Sequence, residues 1–222
     1  HLSLPEYVNL DSQSASSFSV DFACYFRSRE LAYNCFVGRW KAGFNISNLG
    51  GKITYEEGGQ PNFLPTNLRM GGGFDFIFDQ DNVLGLILEF NKLLVPTPQD
   101  FTGDGIIDSE DNDIYQQIGW LEGVFKSFTD APGGLQEELQ EITWALSAEY
   151  AYQNAFMFRT GYFHESEFKG ARQFFSLGAG FKFKSVQIDL SYLFSTSQVK
   201  NPLENTLRFS LTFNLGAEYY ND

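Results

Sequence analysis

The stretch Leu207-Arg208-Phe209-Ser210-Leu211-Thr212-Phe213-Asn214-Leu215 decides the fold. Leu207, Phe209, Leu211, Phe213 and Leu215 fall on one face, and Arg208, Ser210, Thr212 and Asn214 on the other. A period of two is the mark of a β-strand with one apolar side. A soluble sandwich and a membrane barrel both contain such strands, and the connections separate the two. Alternating segments recur at about 16–28, 32–47, 66–79, 82–95, 142–153, 155–164, 173–184, 186–196 and 206–216. The connections near 29–31, at Gln80-Asp81, at Asn154 and at Ser185 are tight. Those at 48–65, 96–141, 165–172 and 197–205 are longer. Short and long connections in strict alternation point to an all-β, transmembrane antiparallel β-barrel of the outer-membrane type, whose short turns are periplasmic and whose long loops are extracellular.

Composition agrees with this. Aromatic residues make up 17% of the chain, with 24 Phe and 11 Tyr, an excess suited to lipid-facing walls and interfacial girdles. No segment approaches the roughly 20 apolar residues of a membrane helix. The mildly negative mean hydropathy, -0.24, fits a wall whose inward residues are polar. The formal charge is -13, concentrated between Gln99 and Glu141, where 11 acidic residues face one base, Lys126. Such a segment repels phosphate, which sets nucleic-acid binding aside.

The inward phase carries Arg69, Asp75 and Asp79 on one strand and Lys182, Lys184, Gln187 and Asp189 on a later hairpin. Polar lumen residues bonded to one another and to water account for these. Gly71-Gly72-Gly73 in mid-strand signals a bend or a close backbone approach. Cys24 is in phase with Phe18, Val20, Phe22 and Phe26, whereas Cys35 is in phase with Arg39, Lys41 and Asn45, so the two thiols are expected to point apart and remain unbridged.

The longest connection holds one motif with ligand chemistry, Asp100-Phe101-Thr102-Gly103-Asp104-Gly105-Ile106-Ile107-Asp108-Ser109-Glu110-Asp111. Asp100, Thr102, Asp104, Asp108 and Asp111 occupy positions one, three, five, nine and twelve of an EF-hand loop. Gly105 falls at the sharp turn and the Ile106 carbonyl at position seven. A hard cation needs many oxygens converging on one point, and this spacing supplies them, so Ca2+ is the expected cofactor, with a structural role in the loop. Asp at position twelve resembles the dockerin variant. Val95-Pro96-Thr97-Pro98 is not an entering helix, so a complete helix–loop–helix hand is not expected. Trp120, Phe125 and Phe128 are apolar for an exposed loop and are candidates either to plug the barrel mouth or to contact a protein. No catalytic constellation stands out. His164, beside Glu165 and Glu167, is placed for interfacial packing more than for use as a base, and no nucleophile elbow is present.

Several segments resemble the PorV (LptO) family of the Bacteroidetes type IX secretion system, a branch of FadL-like barrels. They are Asn45-Ile46-Ser47-Asn48-Leu49-Gly50, Leu64-Pro65-Thr66-Asn67-Leu68-Arg69 and Glu89-Phe90-Asn91-Lys92-Leu93-Leu94-Val95-Pro96-Thr97-Pro98. Further along come Ser127-Phe128-Thr129-Asp130-Ala131-Pro132-Gly133-Gly134, Glu141-Ile142-Thr143-Trp144-Ala145-Leu146 and Asn201-Pro202-Leu203-Glu204-Asn205-Thr206-Leu207-Arg208-Phe209. The resemblance covers about 43–216. It implies a 14-stranded barrel of which residues 1–222 are the C-terminal part, with about nine strands. That accounts for the odd strand count and for the loop-like start at 1–15. It further implies a non-enzymatic shuttle in the outer membrane. The shuttle's partners would be a giant translocon barrel (SprA/Sov-like), the C-terminal signal domains of secreted cargo, a PorU-like sortase and membrane lipids. The alternative is a FadL-like transporter of hydrophobic small molecules, and fold does not choose between them.

Overall fold

A computed structural model describes residues 15–55, 59–197 and 204–214. One antiparallel sheet dominates it. The strands are β1 (Ser19–Arg27), β2 (Leu31–Ala32), β3 (Val37–Gly50), β4 (Asn67–Ile77) and β5 (Asn82–Leu93). Three short helices follow, α1 (Ser109–Gln117), α2 (Trp120–Lys126) and α3 (Leu135–Gln140). The sheet then resumes with β6 (Thr143–Tyr152), β7 (Phe156–His164), β8 (Gln173–Phe183), β9 (Val186–Ser195) and β10 (Leu207–Phe213). The order is β1-β3-β4-β5-β6-β7-β8-β9-β10, with β2 paired to the start of β3. Every pairing is antiparallel and follows sequence order. The sheet is not closed, and β1 and β10 are its edges.

Register explains the two faces. One row crosses the sheet as Trp40, Phe74, Leu86, Ala148, Thr160, Leu177, Tyr192 and Leu207. The neighbouring row, one residue away on every strand, is Arg39, Asp75, Gly85, Glu149, Arg159, Gly178, Ser191 and Arg208. A slip of one residue on any strand would exchange the two, so the alternation pins the register. On the polar row Lys41 Nζ stands 2.6 Å from Asp75, and Arg159 pairs with both Glu149 and Asp189.

Burial separates barrel wall from sandwich. The hydrophobic residues that are buried among the described ones are Leu94, Ile118, Ala131 and Ala171, all in the longer connections. The apolar strand face is open throughout: Trp40, Phe44, Leu88, Leu146, Phe158, Leu177 and Leu211 are exposed. A soluble sandwich buries that face against a second sheet. Here it fits hydrocarbon, with aromatic clusters near both strand ends. Tyr33, Phe36, Trp40, Phe74 and Phe76 stack at the short-turn end, and Trp144, Tyr162 and His164 at the other. No described helix is long and apolar enough to cross a membrane.

The nine expected strands are present, with three local corrections. The segment 32–47 divides, because Tyr33 N donates to Phe36 O at 2.8 Å and closes a turn between β2 and β3. Cys35 therefore sits in that turn and not in a strand. The connection between β5 and β6 is helical in part, where no helix was expected. α1–α3 are too short to show an apolar stripe; α1 is started by a side-chain cap, while α2 and α3 begin at Gly119 and Gly134 without one and are held by packing and ion pairs. Two residues assigned to the inward phase are turn residues instead. Asp79 accepts from Asp81 N and Asn82 N at 2.8 and 2.7 Å, and Lys184 has φ +52°. The β6–β7 connection, 153–155, has φ +52° and +49° at Gln153 and Asn154, a primed turn that Ala155 N closes by donating to Tyr152 O at 3.0 Å. Gly73 in the glycine run shows the close approach expected there: a Cβ would lie 2.6 Å from Leu86 O. Leu215, the segment 1–14 and Asn201-Pro202-Leu203 lie outside the described residues.

Cys24 pairs in register with Phe44 on the apolar face, Cys35 lies in the β2–β3 turn, and both thiols are free. Intact-mass measurement should therefore show no two-dalton shift on reduction.

Candidate functional site at the loop end

Three longer connections pack into one surface at the end of the sheet reached by β3, β5 and β7. The connection after β3 meets the helical one through Lys52, whose Nζ donates to Gln116 O at 2.8 Å and stands 4.1 Å from the Phe63 ring centroid. Phe63 packs edge-on to Tyr115, and Asn112 Nδ2 donates to Gln60 Oε1 at 2.8 Å. α2 seats on the same pair of segments through Gly123, where a Cβ would lie 2.8 Å from both Phe63 and Pro96. That approach excludes any larger residue.

Ion pairs fasten the rest. Lys92 Nζ lies 2.9 Å from Glu138 and 2.8 Å from Glu141, all three largely buried. Lys169, from the connection after β7, lies 2.7 Å from Glu137 and 3.0 Å from Glu141. Arg172 donates to both oxygens of the buried Glu165, each at 2.7 Å. Burial pushes the Glu141 carboxyl up, but the two lysines outweigh it and leave it below the usual carboxylate range. Lys169 holds Glu137 low, and Arg172 does the same for Glu165. Asp130 shows the opposite balance. Burial raises it, with Glu138 and Glu141 nearby adding to the rise, although Thr97 N donates to it at 2.8 Å. A hollow of about 560 Å3 opens among these groups, lined by Asn67, Asn91, Thr97, Tyr115, Thr143 and Lys169.

The acidic motif forms a compact turn at the head of α1. Carboxylate oxygens of Asp100, Asp104 and Asp111 lie within 4.8 Å of one another. Thr102 turns toward them, its hydroxyl 3.2 Å from Asp100 Oδ1. Asp108 stands outside that group and caps α1: its side chain accepts from Glu110 N at 2.8 Å, while Asp111 accepts from Asp108 N at 3.1 Å. The two form a reciprocal capping box. Ile106 N donates to Asp104 Oδ1 at 2.8 Å. Gly103 and Gly105 take φ +79° and +87°, which the tight wrap requires. The exiting segment is thus helical and the entering one is not. Backbone N–H groups, that of Gly105 foremost, hold the Asp100 carboxyl low. Burial would raise Asp111, but N–H groups of Asp108, Thr102 and Phe101 bring it below the ordinary range. Both are anionic at neutral pH, and no described ion pair involves any of the three carboxylates.

The aromatic candidates are not together. Trp120 and Phe125 are exposed on α2. Phe128 instead joins Leu68, Met70, Phe90 and Ile142 around a hollow on the outward side of the wall. His164 stacks on Trp144 at 5.2 Å, in the outward phase. The lysine latch was missed in the sequence. Its signal was Lys92 itself, a charge closing the outward run Leu84, Leu86, Leu88, Phe90.

Removing Lys92 leaves Glu138 without its partner in a largely buried place. Such a loss costs roughly 3 kcal/mol. Lys92→Met should therefore release the connection between β5 and β6, read as faster limited proteolysis within 94–142 while the strands stay protected.

Among curated proteins none matches the sequence significantly. The family model of the type IX secretion system protein PorV matches residues 2–100, a span that ends at the first aspartate of the acidic turn and takes in β1 to β5. With that match and the ten-stranded antiparallel sheet, the chain is similar over residues 2–100 to the PorV family of type IX secretion components.

Proposed function

We propose that this chain is a non-enzymatic shuttle of type IX secretion, which binds the C-terminal signal domains of cargo through its loop end and hands them to a PorU-like surface sortase. The observation that carries the reading is the joined surface formed by the connections after β3, β5 and β7. A protein that must receive a folded domain needs a broad, shaped platform, and cross-loop bonds from Lys52, Lys92 and Lys169 pre-order this one. In this reading the joined loops face the cell exterior and the tight turns the periplasm, and a SprA/Sov-like barrel supplies the cargo.

The transporter alternative draws on a second hollow, of about 350 Å3, over Gly43, Gly71 and Gly73 on the inward face. Lys41, Arg69 and Glu89 also line it, a charged setting poorly matched to a fatty acid path. Purification of the tagged protein in mild detergent, followed by mass spectrometry of proteins and lipids, separates the two. The shuttle is expected to bring down a giant barrel or secreted proteins that share a C-terminal signal domain, and Lys169→Glu should lower that recovery several-fold. A solitary barrel with stoichiometric fatty acid favours the transporter.

The proposal extends to Ca2+ in the acidic turn, held by Asp100, Thr102, Asp104, the Ile106 carbonyl and Asp111, with Asp108 in reach through water. Three converging carboxylates with no cationic side chain paired to them among the described residues support it. The ion would be structural, stiffening the segment that leads into α1. Terbium luminescence and calorimetric calcium binding are expected, and both should vanish in Asp104→Ala. No binding at millimolar calcium overturns this part.

A further inference from the structure

α3 is amphipathic the wrong way round for a helix lying in water. Its charged side is turned to the protein: Glu138 is 8% exposed against Lys92, and Glu137 and Glu141 hold Lys169. Its apolar residues, Leu135 and Leu139, are 78% and 63% exposed. At 3.6 residues per turn the two sides are separated by roughly 130°. α2 also shows apolar residues to the outside, beside the exposed Glu122–Lys126 ion pair. Gly123 is buried against Phe63 and Pro96, while Leu121 and Phe125, on the opposite side, are exposed.

The place of these helices says what covers them. Lys92, which α3 clasps, is in the outward phase of β5, two residues beyond Phe90 and four beyond Leu88. α3 is therefore tied through Glu138 to the outward side of the wall at its rim, while Glu141 and Lys169 border the hollow on the inward side. Beside Lys92, and bordered by the segments that flank α3 at Phe128 and Ile142, is a nearly all-apolar hollow of about 190 Å3, lined also by Leu68, Met70 and Phe90. Three of those residues belong to the strands' lipid-facing rows, so the hollow continues the surface that a barrel presents to hydrocarbon. The acidic groups of α3 are neutralised on its inner side, which leaves its outer side apolar and without paired charge.

We propose that residues 120–142 form a lipid-facing ledge, with Leu121, Phe125, Phe128, Leu135 and Leu139 in contact with acyl chains of the leaflet on the loop side. This rests on the barrel reading. The ledge would fix the depth of the rim in the bilayer and so the height of the loop platform above it.

The test places an environment-sensitive fluorophore at single cysteines in the protein with Cys24→Ser and Cys35→Ser, reconstituted in lipid nanodiscs. The positions are Leu139→Cys and Leu135→Cys on the ledge, Leu88→Cys on the wall and Asp113→Cys on α1. Phospholipids with brominated acyl chains should quench Leu88, Leu135 and Leu139 at least about threefold more than Asp113, and aqueous iodide should show the reverse order. Iodide quenching of the ledge positions equal to that of Asp113 overturns the proposal. Protection of the ledge from both quenchers also overturns it, by assigning the surface to a protein partner or a second copy. Loss of lipid quenching at Leu88 as well would mean that the barrel reading itself fails, not the ledge alone.

Discussion

Everything in this molecule depends on one constraint: backbone polar groups that cross hydrocarbon must be satisfied by neighbouring strands. Pairing each long strand with the next long strand in sequence meets that requirement at low loop-closure cost and leaves the side chains free to divide into two faces. The division is nearly complete. Trp40, Phe74, Leu86 and Leu177 stand on one row, and Arg39, Asp75, Glu149 and Arg159 on the next. The large apolar residues are then on the outside, where a bilayer accepts them, and the charges pair with one another on the inside. It also explains why the buried hydrophobic residues are Leu94, Ile118, Ala131 and Ala171. The wall needs no core of its own beyond its contact with lipid, whereas the connections, which meet water, do.

Those connections obey different physics. They cannot rely on a sheet ladder, so they are held by caps, close approaches and ion pairs. Lys92 shows how. A lysine at the end of an apolar row would be costly alone, and two glutamates from the far end of a 49-residue excursion compensate it. Removing either member leaves the other stranded, which makes the latch more important to loop order than to net stability. Lys169 joins the connection after β7 to the same glutamates. The result is a platform whose parts come from three places in the chain.

Charge is spent differently in the acidic turn. Around Asp100, Asp104 and Asp111 the donors are backbone N–H groups and the Thr102 hydroxyl, not cations, and the N–H groups hold the Asp100 and Asp111 carboxyls low. At the latch carboxylates, there of glutamate, are neutralised by lysine. The excess of 28 acidic over 15 basic residues is therefore not a uniform solvated coat. Much of it is local, concentrated in one connection, and arranged there in two chemically distinct ways.

By itself the sequence determined the strands, their faces and the alternation of tight and long connections, because a period of two and turn chemistry are local properties that one strand displays without its neighbours. It also marked the acidic turn, since the ligand spacing lies within twelve consecutive residues. The tertiary structure alone decided what joins residues far apart: the meeting of Lys92 with Glu138 and Glu141, the seating of Gly123 on Phe63 and Pro96, and the side of the wall on which Phe128 comes to rest. It likewise decided that Asp79 and Lys184 belong to turns, because a strand's end is set by where its partner stops pairing. The helices in the long connection were illegible for the same reason. They are too short for periodicity to show, and what stabilises them is the rest of the molecule.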